Sequence, residues 1–197
     1  VSNVLVLDYG EDSALETIAR EADDIAAVLV EPVQSRRPEF RPREFLHKLR
    51  ALTREKEIVL VFDEVITGFR SCPGGAQSYY GVEADLATYG KIIGGGMPIG
   101  VVAGRSKFMD TFDGGMWRYG DDSMPTAGVT FFAGTFVRHP FAIAAAHASL
   151  SYLKSAGPQL QEGINRKTTR LAESLNAFFA ERGVKIFVAH FSSQMFI

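Results

Sequence analysis

The chain alternates short apolar runs with helix-spaced segments. Residues 4–7 (VLVL) read as a short buried strand. Asp12–Ala22 has helical spacing, with Leu15, Ile18 and Ala19 on one face and Asp12 or Ser13 as N-cap. Residues 26–30 (AAVLV) form the next apolar run, ended by Glu31-Pro32. A polar, Pro-containing loop (QSRRPEFRP) follows. Pro42 then opens a helix to about Glu57 that turns Phe45, Leu46, Leu49 and Leu52 inward. The run IVLVF (58–62) is a third strand, closed by Asp63-Glu64, and Leu86–Tyr89 and Ile99–Ala103 are two further candidates. Residues 113–128 make a long Gly-rich loop. Pro140–Lys154 is an Ala-rich helix, and Leu160–Arg182 is a long amphipathic helix with Gly183 as its C-cap. Strand character resumes at Val184–Val188.

Strand–helix alternation with continuously apolar strands predicts an α/β fold built on a parallel sheet. Gly157-Pro158 is the best boundary, dividing the chain into 1–156 and 157–197. Both ends fall within apolar stretches, so the chain is expected to be a piece of a longer polypeptide. Charge adds one exclusion: 21 Lys+Arg against 23 Asp+Glu leaves a net charge of −2, which argues against a nucleic-acid-binding surface. The apolar runs are strand-length, far below the ~20 residues of a membrane helix, so no membrane partner is expected. The single cysteine, Cys72, excludes an internal disulfide framework and a Cys-based zinc site. It fits a reducing compartment, and a cytoplasmic location is expected.

In doubly wound folds, ligands gather at the carboxyl ends of parallel strands. Two segments place polar groups there: IVLVFDEVITGFR, where an acidic pair ends a strand, and ADLATYGKIIGGGMPIG, where Lys91 follows a strand and precedes a triple glycine. Each has a plain reading. An Asp-Glu at a strand end also serves as a helix cap or a solvated turn, and a lysine before glycines as an ordinary loop residue. The apolar strand with Asp63-Glu64 also fits the magnesium-binding element of an ATPase. That reading needs a G-x-x-x-x-G-K-[ST] loop, and the sequence has none. Neither G-x-G-x-x-G nor G-x-S-x-G occurs, which weakens dinucleotide-binding and serine-hydrolase readings. No His, Cys, Asp and Glu cluster has metal-ligand spacing.

Taken together, EPVQS (31–35), FDEVITGFR (62–70), TYGKIIGGGMPIG (88–100) and FFAGTFVRHPFAIAAAHASL (131–150) resemble the class III aminotransferases, and most closely their glutamate-1-semialdehyde aminomutase branch. The resemblance implies the central part of the large domain of a fold type I transferase, with a mostly parallel sheet flanked by helices. Residues 157–197 would start the small C-terminal domain. It also implies pyridoxal 5′-phosphate (PLP) as cofactor. Lys91 would be its Schiff-base lysine, Asp63 the carboxylate paired with the pyridine nitrogen, Val65 the packing against one ring face, and Thr135 a phosphate ligand supplied across a homodimer. Gln34 lies near the site in the motif. An upstream phosphate loop and a stacking aromatic would precede Val1, so the chain alone is expected to hold the cofactor weakly and to be inactive.

The 113–128 loop is longer than in stand-alone aminomutases. With EPVQSRRPEFRP, it resembles aminotransferase domains embedded in hybrid polyketide–peptide synthetases. The expected partners are then a small-molecule amino donor and a keto acceptor, the latter extending to a keto-acyl chain on an acyl carrier protein. Trp117, Arg118 and Tyr119 either shape a substrate mouth or pack the loop.

Overall fold

Four strands make the main sheet in the computed structural model, which describes residues 3–130, 132–135 and 137–197. They are β1 (Ala27–Val30), β2 (Val59–Asp63), β3 (Leu86–Gly90) and β4 (Gly100–Gly104), in spatial order β1-β2-β3-β4. The first three run parallel. Helix α2 (Arg43–Glu55) crosses from β1 to β2, and a loop with the short helix α3 (Gly75–Tyr80) crosses from β2 to β3. Only residues 91–99 join β3 to β4. That is too short for a crossover, so β4 returns antiparallel.

Helix α1 (Asp12–Arg20) and α2 cover one face of the sheet. Ala14 and Ile18 from α1, and Phe45, Leu46 and Leu49 from α2, bury against Leu60 and Phe62 of β2 and Ala87 of β3. Full burial of each large side chain contributes about 1.5–3 kcal/mol. The other face is open: Leu29 keeps 67% of its surface and Val102 42%.

Helix α4 (Ser106–Asp113) follows β4. The loop beyond it closes on itself where Gly114 O accepts the Thr126 N–H at 2.8 Å. Helix α5 (Pro140–Ala156) packs on the 3₁₀ turn Lys91–Gly94, and α6 (Pro158–Glu181) leads to the hairpin β5 (Ala189–Phe191) and β6 (Gln194–Phe196). The hairpin folds back: Phe191 is buried in the main core, and Arg41 Nη2 donates to His190 O at 2.6 Å. No helix among the described residues is long and apolar enough to cross a membrane.

The structure corrects three of the expected strands and adds two helices. Residues 4–7 form no strand. They find no partner strand among the described residues, and Val6 stays 92% exposed. Residues 184–188 are also irregular, because the Asn176 side chain takes both polar groups of Val188, and the strand starts only at Ala189. β4 begins at Gly100 rather than Ile99. Helices α3 and α4 have six and eight residues, too few for their spacing to stand out in the sequence. Phe131 and Phe136, within the FFAGTF segment, lie outside the described residues.

Candidate active site

The parallel register fixes which groups meet at the carboxyl edge of the sheet. Val30 pairs with Phe62, and Asp63 with Thr88. Paired residues of neighbouring strands share a face, and successive residues alternate faces. Leu60 and Phe62 point into the helical core, so Asp63 lies on the opposite face with Val59 and Val61. Glu31, one residue beyond Val30, continues the row beside Asp63.

Asp63 is locked in place. Its Oδ1 accepts the Val65 N–H at 3.0 Å and the Thr88 hydroxyl at 3.3 Å. Among the described residues, nothing hydrogen-bonds Oδ2. The carboxylate therefore has a fixed direction and one free acceptor.

Glu64 plays a different part. It is 1% exposed and accepts the Thr67 hydroxyl at 3.0 Å, the Ala76 N–H at 2.7 Å and the Gln77 N–H at 3.1 Å. Two of these donors belong to the first turn of α3, so the carboxylate caps that helix. Gly75 makes the approach possible: its φ is +63°, and a Cβ there would stand 2.3 Å from Glu64 Oε2. A carboxylate engaged in this way is not free for a metal ion, which removes the magnesium reading of the Asp-Glu pair.

Lys91 follows β3 with φ +47°, in the left-handed region that a side-chain-bearing residue seldom occupies. Its side chain is exposed and, among the described residues, has no hydrogen bond or ion pair. The preceding residue must be small. A Cβ on Gly90 would come within 3.1 Å of Ile99 O and 3.4 Å of Val65 Cγ1, so Val65 packs directly beside the Lys91 turn.

Glu31 is the residue the sequence reading passed over, taking it only as the end of a strand. Its Oε1 accepts the Ser35 N–H at 3.0 Å. Burial pushes this carboxyl above the usual range. Its Ser35 hydrogen bonds pull it down, the Asp63 charge raises it, and the Lys91 charge lowers it. No sequence signal marked it: Glu31 stands one residue past a strand whose last pair, Val30 with Phe62, immediately precedes Asp63, and that pairing belongs to the register.

Thr135 is exposed between α4 and α5, with no contact to Asp63 or Lys91 among the described residues. Gln34 contributes its carbonyl to Gln194 Nε2 at 3.5 Å. Trp117 donates its indole N–H to Asp113 O within its own loop, while Tyr119 is 97% exposed. A cavity of about 840 Å³ lies at the other end of β3 against Arg50, Arg54 and Arg105 and includes none of Asp63, Val65, Lys91 and Thr135.

Comparison with known proteins gives a consistent picture. The Aminotransferase class-III family profile matches residues 8–186. The glutamate-1-semialdehyde 2,1-aminomutase of Desulfotalea psychrophila is 43% identical over 177 residues, covering 89% of this chain and 38% of that protein. Its counterpart in Methanococcus maripaludis is 37% identical over 185 residues, covering 93% and 39%. Among solved structures, an omega-transaminase from Sphaerobacter thermophilus superposes with a TM-score of 0.78 at 33% identity, over 96% of this chain and 41% of its own. A transaminase with PLP bound gives 0.81 at 32% identity, over 98% and 43%. The chain therefore spans about two-fifths of the length of the proteins it matches.

Proposed function

The chain belongs to the class III aminotransferases, enzymes that use pyridoxal 5′-phosphate, and from that premise we propose that Lys91, Asp63, Val65 and Thr135 serve this cofactor in amino-group transfer from a small-molecule donor to a keto or aldehyde acceptor. The observation that carries the reading is the carboxyl edge of the sheet, where Asp63 has a fixed carboxylate with one free oxygen and Lys91 an unpaired amine. The donor set fits the cofactor: a carboxylate suits a protonated ring nitrogen, an amine suits an aldehyde carbon, and Val65 beside Gly90 offers an apolar surface to a flat ring.

When bound, the cofactor supplies an electron sink for the charge left on a carbon that loses its proton. The protein's residues do the rest. Asp63 would pair with the ring nitrogen and, by its negative charge, favour the protonated form of that nitrogen. Lys91 would hold the cofactor through its amine and, as a free amine, would carry a proton to and from the substrate carbon. Thr135, exposed in the segment that leads into α5, offers its hydroxyl to the phosphate of a neighbouring subunit in a homodimer.

The names of the relatives favour a free small substrate of the semialdehyde kind, with internal migration of the amino group as the aminomutase variant. A carrier-bound keto-acyl acceptor is the second reading, and the exposed loop with Met116, Tyr119 and Met124 supports it as a surface for a bulky substrate. Rates with carrier-bound keto-acyl thioesters against free semialdehydes and keto acids separate the two. Borohydride reduction of the full-length protein with PLP, then peptide mapping, tests the core of the proposal. A pyridoxyl adduct on Lys91 that disappears in Lys91→Ala is expected, and an adduct confined to another lysine overturns it.

A further inference from the structure

We propose that Gln161, near the start of α6, is a positioning residue for the candidate site: its side-chain amide holds the carbonyl of Phe69, and the loop so held forms the wall against which the Lys91 turn stands. The inference rests on the reading of Val65 and Lys91 as cofactor residues and adds what keeps them in place.

Three observations carry it. The first is that the loop between β2 and α3 is built against the end of β3. A Cβ on Gly68 would stand 2.6 Å from Tyr89 Cδ1, so the backbone there lies on the Tyr89 ring. The Phe69 ring meets the same ring with centroids 5.6 Å apart, and Val65 packs beside Gly90. Tyr89 and Gly90 are the two residues before Lys91, so the place of this loop sets the place of the Lys91 turn. The second is that the loop is strained at its contact. Phe69 has φ +60°, a left-handed conformation that a side-chain-bearing residue keeps only where its surroundings hold it.

The third is what does the holding, and it comes from far along the chain. Gln161 Nε2 donates to Phe69 O at 3.3 Å, and Asn165, one helical turn on, donates from Nδ2 to Ser71 O at 2.9 Å. Gln161 is 3% exposed, so its bond is shielded from solvent. Arg70 secures the loop from the hairpin: its Nε donates to Ile66 O at 2.8 Å and its Nη1 to Ser193 O and Oγ, both at 3.3 Å. Residues 66–71 are thus tied outward to α6 and the hairpin while their inner side bears on β3. Loss of the Gln161 donor frees the Phe69 carbonyl, lets the left-handed residue relax and withdraws its ring from Tyr89.

The test uses the full-length protein, first stripped of cofactor. Gln161→Met keeps the length of the side chain and removes its donor. Amide hydrogen exchange, read by peptide mass spectrometry, should rise about 3- to 10-fold in peptides covering 65–72, the factor that one hydrogen bond contributes. The reporting amides there are Gly68, bonded to Glu64 O at 2.9 Å, and Arg70, bonded to Thr67 O at 3.1 Å. Exchange should rise as well, by about twofold or more, in peptides covering 89–95, where the Gly95 N–H bonds to Ile92 O. Asn176→Ala is the matched control. It removes the bonds from the same helix to Val188, and its faster exchange should stay within 184–191. With PLP loaded, Gln161→Met should lower kcat about 5- to 20-fold and leave KM for the amino donor within about twofold, whereas Asn176→Ala should leave both unchanged. Exchange that is unchanged, or faster only in 65–72, overturns the inference. So does a kcat that is unchanged in Gln161→Met or falls equally in both variants, which would report loosened structure. Borohydride trapping on the unsubstituted protein reads the cofactor separately. Faster exchange reaching 89–95 without an adduct on Lys91 upholds the clamp and sinks the transferase reading, and an adduct with exchange confined to 65–72 does the reverse.

Discussion

Replacing Asp85 by alanine should destabilise the fold by about 3 kcal/mol at neutral pH and by less in acid. Asp85 precedes β3, and its side chain is 10% exposed. One oxygen accepts the Leu60 N–H at 2.9 Å and Arg50 Nη1 at 2.9 Å; the other faces Arg105 Nε at 3.3 Å. Arg50 is equally buried, so alanine strands a guanidinium and an N–H of the central strand. Breaking one side of a buried pair costs about 3–5 kcal/mol. Arg50 Nη1 keeps Glu83 O at 3.3 Å, which places this case at the low end. With a urea m-value of about 2 kcal/mol/M, the midpoint should fall by roughly 1.5 M at unchanged slope. The acid dependence follows from linkage. Burial pushes the Asp85 carboxyl up, but the Leu60 N–H, Arg50 and Arg105 together outweigh it and hold the group below the ordinary carboxylate range. A depressed value in the folded state stabilises above the unfolded value, near pH 4, and that stability is lost as pH falls through the folded value. The gap between parent and variant, followed by far-ultraviolet circular dichroism, should be constant from pH 7 to about 5 and narrow below about 4. A midpoint shift under about 0.25 M, or a gap that does not change down to pH 3, would refute the reasoning.

Two substitutions in the Asp-Glu pair should have opposite signatures. Glu64→Ala removes the acceptor of Ala76, Gln77 and Thr67 and should cost about 2–4 kcal/mol in urea unfolding, with faster amide exchange concentrated at Ala76 and Gln77. Asp63→Asn retains an oxygen for Val65 and Thr88, so its unfolding midpoint should stay within the equivalent of about 0.5 kcal/mol of the parent. Under the proposed role of Asp63 at the cofactor ring nitrogen, kcat of the full-length protein should fall by roughly 10²–10³-fold.

How much was readable from the sequence varied with the range of the interaction that decides it. β1, β2 and β3 were legible because buried parallel strands are apolar throughout, and α2 because Phe45, Leu46 and Leu49 repeat at helical spacing. Residues 4–7 misled because an apolar run becomes a strand only when another strand supplies its hydrogen bonds. Residues 184–188 misled because a distant asparagine, Asn176, holds Val188 outside a ladder. The places of Asp63 at the end of β2 and of Lys91 just after β3 were legible in the sequence, and Val65 follows Asp63 by two. Which carboxylate of the Asp-Glu pair faces outward was not legible, because it depends on which face of β2 the helices cover. Glu31 escaped notice because its place beside Asp63 comes from the β1–β2 register, which no single segment encodes.

That same alternation restricts how the protein can be redesigned. One carboxylate is committed inward and its neighbour outward by a period of two, so adding or deleting a single residue within β2 would swap them. It would expose the cap of α3 and drive the Asp63 carboxylate into hydrocarbon. Changes of reactivity at this edge are therefore open to replacement of side chains but closed to changes of strand length, and libraries that vary length belong in the closed loop beyond Gly114.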